Sequence, residues 1–241
     1  VDTLLELTRR AESTHFWFRG FRRFVAPLLD RAVAGRSDLS VLDCGCGTGH
    51  NLQRLEQCGA AVGIDLTAAG LAVAAKAGRR VARADATRLP FPSNRFDVVT
   101  SFEMLQCVPD DAAAVAEIAR VLRAGGYFVG SVAALDVLHG DHSLLSQEVR
   151  RYTRGTLLAV LRGAGLHPIV IRYAFASLFP LMIVGRTLQR LRGARPAGRD
   201  ITVPSAPINW VFSMMLAAEA SLAAHVPMPI GSSLVFLAVK S

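Results

Sequence analysis

The chain has 241 residues, 51% of them hydrophobic and 19% charged, and a net charge of +8. That length suffices for one large core without a second domain, and no run of about 20 uninterrupted apolar residues is present to span a bilayer. Four cysteines in so long a chain exclude a disulfide scaffold and fit a reducing compartment, while the positive charge admits nucleic acid or an anionic membrane as partner.

The first ten residues hold Asp2, Glu6, Arg9 and Arg10 where an export signal would hold an apolar core, so a cytoplasmic protein is expected. Helical patterning covers residues 3–13 and 20–34, making 1–36 a helical cap. Between them the run Phe16-Trp17-Phe18, followed by Arg19, Arg22 and Arg23, departs from ordinary surface composition. A strand over 40–44 then delivers Asp43 into a turn with glycines at 45, 47 and 49. Alternate glycines permit positive φ and let a ligand approach the backbone. A dinucleotide fingerprint, Gly-x-Gly-x-x-Gly, would need glycine where His50 or Leu52 stands. Asp43 would repel phosphate but suits an ammonium group. Cys44 and Cys46 read as packing within this turn, and no metal site is expected.

A helix over 50–58 leads to a strand over 61–65 ending in Asp65, placed to accept both hydroxyls of a ribose. After a helix over 67–77, a strand over 80–84 ends in Asp85-Ala86, where the acid can accept from an exocyclic amine such as that of adenine. Either acid alone reads as a solvated turn residue. In register they describe a nucleoside carrying an amino acid. A strand over 96–101, a helix over 110–123 and a strand over 127–133 follow, then a helix over 154–164 and a strand over 168–174. Helical stretches over 178–192 and 208–225 precede the final strand, 233–239. Alternating helices and apolar strands imply a parallel sheet covered on both faces.

The glycine loop, Asp65, Asp85-Ala86, the strand Phe96-Asp-Val-Val-Thr-Ser101 and the segment Val121-Leu-Arg-Ala-Gly-Gly-Tyr-Phe-Val-Gly130 together resemble the class I S-adenosylmethionine-dependent methyltransferases. The resemblance implies an α/β, Rossmann-like mixed sheet of seven strands in the order 3-2-1-4-5-7-6 with helices on both faces, the last strand antiparallel. It implies one methyltransferase domain over 1–241, S-adenosylmethionine as cofactor and S-adenosylhomocysteine as product. It places Asp43, Gly45, Cys46, Gly47 and Asn51, then Asp65 with Leu66, Asp85 with Ala86, and Phe102 around that cofactor. The aromatic entry segment resembles that of a bacterial subgroup associated with small-molecule, lipid or quinone modification. There Arg22 or Arg23, with Arg19 behind them, would pair with the methionyl carboxylate, and Trp17 would face the acceptor; alternatively the aromatics anchor the first helix.

After the fourth strand, Ser101-Phe-Glu-Met-Leu-Gln-Cys-Val108 lacks the Asn/Asp-Pro-Pro-aromatic motif and the Pro-Cys nucleophile of nucleobase methylases, so no nucleic acid is expected. Related small-molecule enzymes carry Glu-His where this chain has Gln106-Cys107, which removes a familiar base. His142, then His139 and His15, remain as base candidates, with local hydrogen bonding as the alternative. Arg151 and Tyr152 either grip an acidic acceptor group or serve structure. The expected function is methyl transfer to oxygen or carbon of a small apolar acceptor. A nicotinamide-dependent oxidoreductase and a non-catalytic auxiliary subunit stand as alternatives.

An insertion over about 175–228 lengthens the link to the last strand far beyond a hairpin. It reads as two apolar helices around a basic linker, with Arg186, Arg190, Arg192, Arg195 and Arg199 in a stretch without an acid. An extra packing layer, a substrate lid and a peripheral contact with an anionic membrane are the readings open to it.

Overall fold

A computed structural model describes residues 11–139, 146–192 and 204–241, with the side chains of 189–192 left aside. The sheet has seven strands: β1 (Leu39–Cys44), β2 (Gly59–Asp65), β3 (Val81–Arg83), β4 (Phe96–Phe102), β5 (Leu122–Ala133), β6 (Leu166–Ala174) and β7 (Ser233–Lys240). Their order is β3-β2-β1-β4-β5-β7-β6, as expected. β1 to β5 pair in parallel, and β7 runs antiparallel between β5 and β6. All six residues of β1 are buried, as a central parallel strand requires.

Alternation along the strands sorts two cores. Leu42, Val99, Phe128 and Phe236 point into one, with α4 (Asp111–Val121) and α5 (Arg154–Gly163). Val41, Val98, Val129 and Leu237 point into the other, beneath α1 (Phe16–Val33) and α7 (Ala206–Ala223). Between the first two strands lies α2 (Leu52–Leu55), between β2 and β3 α3 (Ala68–Lys76), and after β6 α6 (Phe179–Arg192). The order reverses between β1 and β4, opening a crevice at their carboxyl ends where α/β sheets bind ligands.

Several boundaries differ from expectation for local reasons. α1 begins at Phe16 because His15 caps it, its Nδ1 accepting from the Trp17 N–H at 3.1 Å. The helix expected over 50–58 shortens to α2 and a 3₁₀ turn, Glu56–Cys58. Gly59 then turns at φ 140°, where a Cβ would lie 2.1 Å from the Leu39 carbonyl oxygen. β5 starts at Leu122, paired with Phe96, so the strand runs through Gly125-Gly126 instead of starting after it. Most of the helix expected over 3–13 lies outside the described residues.

The insertion supplies α6 and α7. Glu219, the one acid of α7, is buried and accepts from the Ala176 N–H at 2.7 Å, the Ser177 N–H at 3.0 Å and the Ser177 hydroxyl, clipping the β6–α6 turn to α7. Among the described residues no helix is long and apolar enough to cross a membrane.

Candidate functional site

β1 carries Asp43 to its carboxyl end between Gly63 of β2 and Thr100 of β4. The side chain is 1% exposed, and the Thr100 hydroxyl donates to Oδ1 at 2.7 Å. Oδ2 has no partner. Burial pushes the Asp43 pKa up to about 7 against the Thr100 bond, with Asp65 adding to the rise. A buried, half-satisfied carboxylate is a strong acceptor waiting for a donor, and a cationic one would suit it best.

The three loop glycines do different jobs. A Cβ on Gly45 would lie 2.6 Å from Met104, and one on Gly49 would lie 2.8 Å from the Ala74 Cβ, so these two permit packing. Gly47, at φ 51°, faces open space, which makes its backbone the approachable part of the turn. Its N–H donates to Asp65 Oδ2 at 2.8 Å, while Asp65 Oδ1 accepts from the Thr67 N–H at 2.8 Å and from its hydroxyl. Asp65 thus ties the β1 and β2 loops together, and Oδ2, with one donor against two on Oδ1, keeps a further lone pair. Asp85 is exposed, with Oδ1 accepting from the Thr87 N–H at 2.8 Å and its hydroxyl at 2.9 Å. Leu66 is exposed beside Asp65, an apolar platform on the same edge, and Ala86 is buried under Asp85.

The N-terminal segment closes over this edge. Glu12 accepts from the Thr48 hydroxyl at 2.8 and 2.9 Å, so the segment is clasped to the glycine loop itself. Arg22 Nη1 donates to the Glu12 carbonyl at 2.8 Å and lies 3.2 Å from His50 Nε2. Burial lowers the His50 pKa against the pull of Glu12. A cavity of about 340 Å³ opens here, its wall including Phe21, Arg22, Val25, His50, Asn51 and Phe102. Arg23 is exposed and absent from that wall. Trp17 stacks on Phe175 with ring centroids 3.9 Å apart. α1 seats on α7: Phe16 packs on Phe212, Gly20 meets Leu216, and Asn209 bonds both the Phe16 N–H and the Thr14 carbonyl at 2.8 Å.

Beyond β4 stands Glu103, at φ 54°. Its N–H donates to the Ser131 carbonyl and hydroxyl oxygens at 3.0 and 3.2 Å, and Oε2 accepts from Gln106 Nε2 at 2.9 Å. Oε1 is buried and has no partner among the described residues. Burial raises the Glu103 pKa, and nearby Glu148 adds to the rise while Ser131, Gln106 and Arg151 oppose it.

Residues 42–130 match the family described as a methyltransferase domain. Over 171 residues the chain is 34% identical to a demethylmenaquinone methyltransferase of Roseiflexus castenholzii, covering 67% of this chain and 68% of that protein. The chain belongs to the class I S-adenosylmethionine-dependent methyltransferases. A ubiquinone biosynthesis O-methyltransferase of Nitrosomonas europaea is 32% identical over 140 residues; the match covers 51% of this chain and 60% of that protein's length. A phosphoethanolamine N-methyltransferase of Haemonchus contortus, solved with S-adenosylmethionine, shares the fold at TM-score 0.66 and 18% identity, covering all of this chain and 57% of that one.

S-adenosylmethionine is this methyltransferase's cofactor, and the orphaned Asp43 Oδ2 and the open backbone at Gly47 fit it. The structure brings Asp43, Gly45, Gly47, Asn51, Asp65, Leu66, Asp85, Phe102 and Arg22 to one edge of the sheet. Cys46 instead packs inward, its sulfur 2.7 Å from where a Gly63 Cβ would lie, and only its backbone faces the loop.

The acceptor and base candidates that are described each have local partners. The Tyr152 hydroxyl is buried, donating to Asp111 Oδ2 at 2.6 Å, and Arg151 pairs with buried Glu148 at 2.9 Å and with the Ala134 carbonyl. Both side chains thus find a charged partner inside the fold. His15 is a helix cap, with burial lowering its pKa. His139 lies in the loop after β5, capping the 3₁₀ turn Asp136–Leu138, and His142 lies outside the described residues. Sequence reasoning missed Glu12, Thr48, His50 and Glu103. Thr48 alone carried a signal, as the one hydroxyl among the loop glycines.

Proposed function

We propose that this methyltransferase acts as one domain over 1–241 and transfers the methyl group to oxygen or carbon of a small apolar acceptor of the quinone or lipid class. The observation that carries this reading is a cavity beside the glycine loop whose wall includes Phe21, Val25, Leu29 and Phe102, with Arg22 and Arg54 among its polar residues. Two relatives that share its sequence are named for menaquinone and ubiquinone chemistry. Such acceptors reside in membranes, which gives the insertion a purpose at a lipid surface and makes the protein a peripheral one.

When bound, S-adenosylmethionine supplies a methyl group already activated on a sulfonium, so the chain's work is positioning and exclusion of water. Asp43 Oδ2 would accept from the ammonium, Arg22 would face the carboxylate, Asp65 would take the ribose hydroxyls and Asp85 the adenine amine. Phe102 and Phe21, in edge contact at 5.4 Å, hold the acceptor against the methyl. For a hydroxyl acceptor Glu103 Oε1 joins His142 and His139 as a group able to take the proton.

Calorimetric titration with S-adenosylhomocysteine against NADPH, followed by transfer of labelled methyl to lipid and aqueous extracts, tests the reading. Label recovered only in water-soluble product would overturn the apolar acceptor. Cofactor binding with no transfer to any extract would favour an auxiliary subunit.

A further inference from the structure

An 18-residue helix that is apolar on every side needs cover on every side, and α7 has cover on only one. Its inner positions, Ser213, Leu216, Glu219 and Ala223, are buried against α1 and the sheet. Its outer positions Ile208, Val211, Met214 and Leu222 follow at helical spacing, and with neighbouring Trp210 they are 50% to 63% exposed. No ionisable side chain interrupts this stripe, because the only charged residue of the helix, Glu219, faces inward on the β6–α6 turn. Scattered apolar residues on a surface need no explanation, but a continuous stripe headed by a tryptophan does.

The charge around the stripe selects what covers it. Residues 179–199 contain five arginines and no acid, and the run ends seven residues before α7 begins. On α1, exposed Arg19 and Arg23 stand one step round the helix from Phe16 and Gly20, the residues that meet α7. A second copy of the chain seated stripe to stripe would bring Arg19 and Arg23 of both copies toward one seam, where they repel. An anionic bilayer surface attracts them, accepts an apolar face to the depth of the headgroups and suits an indole at its boundary. We propose that the outer face of α7 is a lipid-docking surface that lays the methyltransferase on anionic membrane, with α7 in the plane of the interface. The inference deepens the reading of a membrane-dissolved acceptor, on which its purpose rests.

The test is sedimentation of the full chain with phosphatidylcholine vesicles containing phosphatidylglycerol, pure phosphatidylcholine serving as control, together with tryptophan emission. Val211→Asp with Met214→Asp places charge on exposed positions, and S-adenosylhomocysteine binding verifies the fold of the variant. Expected are salt-sensitive binding to the anionic vesicles alone, a loss of at least about tenfold in the double variant, and a blue shift on binding that Trp210→Phe abolishes while Trp17 remains. No binding at low salt would overturn the proposal, as would binding that the double variant leaves unchanged. A stable dimer of the wild type that the double variant dissolves would overturn it in favour of a second copy. The acceptor reading fails separately, through labelled methyl found in water-soluble product while vesicle binding persists.

Discussion

Asp43 illustrates how one half-satisfied carboxylate links stability to ligand binding. Its pKa is 3.8 in an unfolded chain and about 7 in the folded one. Between these values the folded protein holds a proton that the unfolded protein has released, so stability falls as pH rises through this window. The loss is on the order of 4 kcal/mol once the group is ionised. A cationic donor at Oδ2 reverses the penalty. S-adenosylhomocysteine affinity should therefore strengthen from pH 5 to 7 by up to about tenfold per unit and level off above, with proton release visible across buffers of different ionisation enthalpy. Asp43→Asn should remove that slope; a slope that persists would take the ammonium contact away from Asp43. Asp65→Ala should weaken the same ligand by about 1.5–3 kcal/mol, the range for hydrogen bonds to a charged group. Because Asp65 also holds Gly47 and Thr67, thermal unfolding must be followed in parallel. Unchanged affinity would remove it from the ribose.

Helices and strands were legible where local chemistry dictates them, and illegible where a distant partner decides. The glycine turn and the acids at or just past the ends of β2 and β3 are local, so their positions could be read from spacing. Thr100 meets Asp43 across 57 positions, and Glu12 meets Thr48 across 36, distances over which no periodicity carries information. Tyr152 looked available for an acceptor because Asp111, its partner, stands 41 residues earlier. Glu219 meets the backbone it clips across 43 and 42 positions. Glu219→Ala should cost about 1–3 kcal/mol per orphaned donor and lower the melting temperature. Gly20→Ala would place a Cβ 2.5 Å from Leu216 Cδ1 and 3.1 Å from its Cβ. Destabilisation of about 1–3 kcal/mol is expected as α1 and α7 part; a neutral melting temperature would mean that Leu216 gives way freely.

At the scale of the molecule, both appendages to the sheet reach the same edge, and they reach it through each other. α7 seats α1 at Phe212, Leu216 and Asn209, α1 carries Arg22 to the cavity, and Glu12 clasps Thr48 in the loop under the cofactor. A ligand that orders the glycine loop therefore has a contiguous route of packed and hydrogen-bonded groups into the insertion, whereas α5, packed in the core on the other face of the sheet, lies off it. Bound S-adenosylhomocysteine should slow amide hydrogen exchange across residues 11–24 and 206–216 by at least about tenfold, since exchange there reports local opening that the ligand opposes. Exchange in α5 should stay as it was. Thr48→Val removes the hydroxyl that Glu12 accepts, and should confine the protection to the loop while leaving the melting temperature within a few degrees. Protection that reaches α7 in this variant as fully as in the wild type would show that the clasp is not the link, and protection that stops at the loop in the wild type would show that the cap and the insertion act apart from the cofactor.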